Sequence, residues 1–80
     1  MQGEAIIRED EPQLVRLPIV LQLVGLSRAE VYRRVKDGSF PSPVQIGERA
    51  VAFNLQEVRS WVRARLVERA VKRQDVVERT

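Results

Sequence analysis

A chain of 80 residues has room for one small domain. With no Cys and no His it has no disulfides, no thiolate or imidazole metal ligands and no imidazole base, which argues against an enzyme and against a zinc-built fold. Fourteen Lys and Arg face eleven Asp and Glu, a formal net charge of +3 with a pI near 10.2.

Twelve of the fourteen cations are arginine, whose planar fork suits bidentate contacts to phosphates and base edges better than lysine does. The charge is unevenly placed. Residues 1–13 hold four acids and one arginine, so the remaining thirteen cations and seven acids give the rest of the chain +6. That asymmetry points to a polyanionic partner, although an arginine-rich face can equally be a solvated one. No apolar run approaches the ~18 residues of a membrane span, and the first residues lack the basic-then-apolar pattern of a secretory signal. The expected location is the cytoplasm, with no membrane partner.

Residues 1–13 read as a flexible acidic arm. Leu14-Val15-Arg16-Leu17 has the composition of a short strand. Pro18 suits the first helical position, and Ile19, Val20, Leu23 and Val24 recur at helical spacing, predicting a helix over about 18–24 closed by Gly25. Ser27 followed by Glu30 is a capping box, opening a second helix from Arg28 to Asp37 that ends at Gly38. Two short helices joined by a tight Gly-containing turn make a helix-turn-helix.

Phe40-Pro41-Ser42-Pro43 cannot be helical. Val44-Gln45-Ile46 and Val51-Ala52-Phe53 read as two short strands joined through Gly47-Glu48-Arg49, a hairpin placed where a wing would stand. Asn54 and Glu57 form a second capping box before a third helix with Leu55, Val58, Trp61, Val62 and Leu66 on one face, running to about Arg69. Residues 70–80 either extend it or fray. The expected architecture is mainly α with a small β-hairpin: a winged helix-turn-helix of three helices plus wing, over residues 14–69.

On the second helix, Val31 and Val35 share an angle and must face the core with Leu26 and Phe40. Arg33 and Ala29 then face outward, Arg28, Tyr32 and Lys36 line one flank, and Arg34 lies on the other. A major groove about 12 Å wide admits one such helix. Residues at the start of a recognition helix reach base edges, which nominates Ser27, Arg28 and Ala29, followed by Arg33; Tyr32 and Lys36 suit phosphates. The bland alternative is an ordinary charged surface, with Arg34 pairing with Glu30 at i,i+4 and Tyr32 a packing residue. Arg49 at the hairpin tip is placed to reach the minor groove or backbone, or is a plain solvated turn residue beside Glu48. Trp61 has the spacing of a core residue.

From Leu14 to about Arg69 the chain resembles the AlpA-type prophage regulators, winged helix-turn-helix proteins related to MerR-like DNA-binding domains and phage excisionases. The resemblance rests on Arg16-Leu17, Gly25-Leu26-Ser27-Arg28, Val31-Tyr32-Arg33, Gly38-Ser39-Phe40-Pro41, Pro43-Val44, Ile46-Gly47, Glu57-Val58 and Trp61-Val62, in order and spacing. It implies a bacterial or phage-encoded, nucleoid-associated protein that binds double-stranded DNA sequence-specifically. Such a protein either regulates transcription of a mobile element or bends attachment-site DNA as an excisionase-like factor beside an integrase. By position it puts Ser27, Arg28, Tyr32 and Arg33 at the DNA and Arg49 in the wing. Two residues depart from the pattern. Arg34 stands where many relatives carry an apolar residue, so either the helix packs differently there or it makes an extra phosphate contact, and Leu17 before Pro18 lacks a hydroxyl cap.

Further expectations follow from the residues themselves. No cofactor, catalytic group or metal site is expected, since Glu30, Asp37 and Glu57 have structural work as caps and helix ends and no nucleophile accompanies them. Copies of the chain are expected to cooperate on DNA, because one small module binds weakly alone. A protein-interaction module self-associating through the C-terminal helix is the reading from another class, although no clean heptad survives Leu66.

Overall fold

The computed structural model describes residues 11–79, with side chains described through residue 72. Most of the acidic arm thus lies outside the described residues. Six elements follow in order: β1 (Leu14–Val15), α1 (Leu17–Val24), α2 (Arg28–Asp37), β2 (Val44–Gly47), β3 (Ala50–Asn54) and α3 (Leu55–Arg79). The result is mainly helical, a winged helix-turn-helix whose hairpin is widened to three strands by β1.

The first strand is shorter than its composition predicts. Arg16 is extended (φ −82°, ψ 164°) and is itself the N-cap of α1, its carbonyl accepting from the amides of Ile19 (3.1 Å) and Val20 (3.3 Å). No side chain caps that end, and Pro18 sits in the first turn where an amide hydrogen would have no partner. The cap is therefore Arg16, one residue before the position the sequence favours. Gly25 closes the helix in the left-handed region (φ 71°), donating to the Leu21 carbonyl at 2.9 Å. Three residues, Gly25 to Ser27, separate α1 from α2.

The sheet order is β1-β3-β2, antiparallel throughout. Leu14 pairs with Asn54 and Val15 with Phe53; across the hairpin, Val44 pairs with Ala52 and Gln45 with Val51. Only Glu48 and Arg49 form the turn, because Gly47 pairs with Ala50 as the last residue of β2. Positive φ occurs only at Gly25 and Gly38 among the described residues, so the turn avoids the left-handed pair usual in two-residue hairpins. A register shift between Gln45 and Gly47 accommodates it.

The core is small. Leu17, Val20, Val31, Phe40, Phe53 and Val58 are buried together, with Leu26, Val35 and Trp61 packed partly against them. On α1 the inward side is Leu17, Val20, Leu21 and Val24; Ile19 and Leu23, which share the helical spacing, are each 44% exposed. Phe40 meets Phe53 (centroids 6.0 Å apart) and Trp61 (5.0 Å), both nearly edge-on. Trp61 is half-buried rather than enclosed, and its indole N–H donates to the Ser39 carbonyl at 2.8 Å, tying α3 to the turn after α2.

Asn54 opens α3, its Oδ1 accepting from the amides of Gln56 (2.8 Å) and Glu57 (3.2 Å). The Leu55 amide donates to the Gln13 carbonyl at 2.8 Å, so Gln13 is already part of the fold. Leu55 and Val58 are buried and Val62 half-buried, but the expected stripe stops there, with Leu66 half exposed. At 1.5 Å per residue α3 is about 37 Å long, and every described side chain from Arg63 to Lys72 is exposed. The distal half therefore packs on nothing in this chain that the structure describes. No described helix is long and apolar enough to cross a membrane.

Candidate nucleic-acid interface

Both ends of α2 are fixed by side chains. Ser27 Oγ accepts from the Glu30 amide (3.2 Å), and Glu30 Oε1 accepts from the Ser27 amide (2.8 Å), so the capping box is complete. These bonds to Ser27 hold the Glu30 carboxyl below its ordinary pKa, with a smaller pull from Arg34 and Arg33. At the other end Asp37 Oδ1 accepts from the hydroxyl (2.6 Å) and amide (2.9 Å) of Ser39, which likewise lowers the Asp37 pKa. Gly38 lies between them at φ 86° and turns the chain out of the helix. A helix pinned at both ends presents its outer face in one orientation.

That face follows from the position of Val31, which is fully buried, with Val35 beside it. Ser27, Arg28, Ala29, Arg33 and Lys36 are exposed, while Tyr32 and Arg34 are half-buried. The Tyr32 ring packs obliquely on Phe53 (6.5 Å) and the Arg28 guanidinium lies 6.0 Å from its centroid. Tyr32 is thus both a packing residue and a support for a cation. Arg34 Nη1 is 3.4 Å from the Glu30 main-chain carbonyl, a long hydrogen bond. The Glu30 carboxylate is engaged with Ser27 instead of forming the expected i,i+4 pair.

Arg49 is exposed at the hairpin turn, yet the fold brings it back toward the helices. It lines an open concavity of about 370 Å³ together with Arg16, Leu17, Pro18, Arg28, Tyr32 and Val51. Three arginines, from the entry of α1, the first turn of α2 and the hairpin turn, thus line one hollow. Arg16 is the residue that sequence reasoning did not place at the interface: periodicity gives its distance from Pro18, but only the docking of α1 against the wing shows what it faces. Among the described residues no group of three or more His, Cys, Asp or Glu could hold a metal ion.

Two comparisons bear on this arrangement. The family model described as Prophage CP4-57 regulatory protein (AlpA) matches residues 13–66, from Gln13, whose carbonyl receives the Leu55 amide, to Leu66, one turn beyond the last core residue of α3. A protein of Enterobacteria phage P4 termed "Uncharacterized protein ORF88" is 36% identical over 59 residues, covering 74% of this chain and 67% of that protein. With the helix-turn-helix, the wing and the outward cationic face in place, the chain belongs to the AlpA family of prophage regulatory proteins, a DNA-binding family.

Proposed function

We propose that this chain is a sequence-specific regulator of a mobile element that inserts α2 into the major groove of duplex DNA and lays the hairpin on the flanking backbone or minor groove. The observation that carries the reading is the outward exposure of Ala29, Arg33 and Lys36 on a helix buried behind through Val31 and capped at both ends. In this reading Ser27, Ala29 and Arg33 meet base edges, Tyr32, Lys36 and Arg34 serve phosphates, and Arg49 serves the wing contact. Arg28, nominated for a base edge, sits on the rim of the concavity.

Anisotropy titration of the full chain on duplexes over a salt series tests the proposal. Neutralising four to six phosphates gives a log–log slope of about −4 to −5 and a clear preference among sequences. Salt-insensitive binding, or equal affinity for every duplex, overturns it. The alternative reading is an excisionase-like role. That role predicts cooperative filling of repeated sites and a bend visible by circular-permutation mobility, whereas unbent promoter binding predicts neither.

A further inference from the structure

We propose that the concavity between the entry of α1, the start of α2 and the hairpin turn is a seat for one phosphate of the DNA backbone, held by Arg16, Arg28 and Arg49 beside Tyr32. The proposal deepens the DNA-binding reading and rests on it.

Arg16, Arg28 and Arg49 line one hollow, and no carboxylate of the described residues pairs with any of them. Among the described residues the cluster has no counter-charge, and like charges so gathered repel, which favours an anion between them. Guanidiniums present forked donors matched to phosphate oxygens. A volume of about 370 Å³ corresponds to roughly a dozen waters at about 30 Å³ each, enough for a sugar-phosphate unit. Leu17 and Pro18 supply apolar lining, against which a hydrated ion gains less than a ribose with its phosphate.

Arg28 and Arg33 are five residues apart, which at 100° each leaves them about 140° from one another around α2. If Arg33 points at the base pairs, Arg28 points to the flank, where the strand backbone runs. Tyr32 lies between them, anchored on Phe53, with its ring 6.0 Å from the Arg28 guanidinium. This moves Arg28 from base reading to backbone clamping and gives Arg16 a function. A clamp shared by the helix-turn-helix and the wing also fixes the depth and register of α2 in the groove without reading sequence.

Arg16→Gln is the test, because the side chain of Arg16 is exposed and only its backbone caps α1. On full-length protein it is expected to weaken binding to preferred and scrambled duplexes by the same factor and to make the salt slope shallower by about 0.9. On a duplex carrying a single neutral methylphosphonate at the seated position, the variant and the unmodified protein should bind equally. Sequence-preferring binding by the unmodified protein with an unchanged slope in Arg16→Gln overturns the seat while leaving the function standing. Failure of the unmodified protein to bind duplex DNA overturns both. Inorganic phosphate followed by NMR on the free protein separates the sources: weak perturbation of the same arginines, abolished by duplex, supports the backbone seat. Phosphate that duplex does not displace contradicts it.

Discussion

Arg33 and Arg34 are neighbours with different surroundings, and α2 shows at single-residue resolution what an exposed face offers and a flank does not. Arg33 is exposed on the outward side; Arg34 is half-buried with its guanidinium at the Glu30 carbonyl. Arg33→Ala is expected to cost about 1–3 kcal/mol on the preferred duplex and to relax preference at one base pair, whereas Arg34→Ala leaves the preference pattern intact. Competition binding against single-base variants measures both. Ser27→Ala removes the hydroxyl half of the capping box and should lower stability by about 1 kcal/mol in urea unfolding followed by circular dichroism. The acid behaviour follows from the same bonds. Glu30 and Asp37 have folded pKa values below their ordinary ones, so their contribution is complete above the carboxylate range near about 4 and is lost as pH falls through the lowered values. Glu30→Gln, which can still accept from the Ser27 amide, should therefore flatten part of the acid decline in melting temperature between pH 5 and about pH 2. The outward exposure of Arg33 was legible in the sequence because one buried valine sets the phase of ten residues. The place of Arg16 on the concavity was not, because it depends on what α1 docks against.

Among elements, α3 separates into two halves that the sequence joins. Leu55, Val58 and Val62 pack inward, and the indole N–H of Trp61 ties the helix to Ser39. Beyond Val62, Leu66, Val67 and Val71 are half or more exposed, and the Arg65 side chain stacks 5.0 Å over Trp61 while pairing with Glu68 at 3.3 Å. Trp61→Phe keeps an aromatic ring beside Phe40 but loses the bond and the five-membered ring, for an expected cost of about 1–3 kcal/mol. Ending the chain after Arg69 should change the unfolding free energy by less than about 0.5 kcal/mol, since no described side chain removed is buried. Light scattering of the same two lengths reads whether the exposed apolar residues associate copies. The capping box of Ser27 and Glu30 and the side-chain cap of Asn54 marked where α2 and α3 begin, because side chain-to-amide bonds two or three residues apart are local. Where the core side of α3 ends was not legible: periodicity carries Leu66 onto the stripe, but the domain is too small to reach it. The exposure of Ile19 and Leu23 has the same origin, a core with room for only one side of α1.

For the molecule as a whole, charge placement matters more than net charge. The formal +3 divides into an acidic first thirteen residues and +6 on the remainder, which contains α2, the wing and Arg16. Deleting residues 2–12 should raise duplex affinity at low salt and leave it nearly unchanged at high salt, where screening removes the arm's repulsion. The central claim is that α2 reads base sequence through its outward face. In vitro selection of duplexes with the full chain and with Arg33→Ala tests that claim most directly. The account predicts that the unmodified protein enriches one defined motif and that the variant keeps it except for lost information at one base pair. Enrichment of no motif by the unmodified protein, or an identical motif from both, would contradict it.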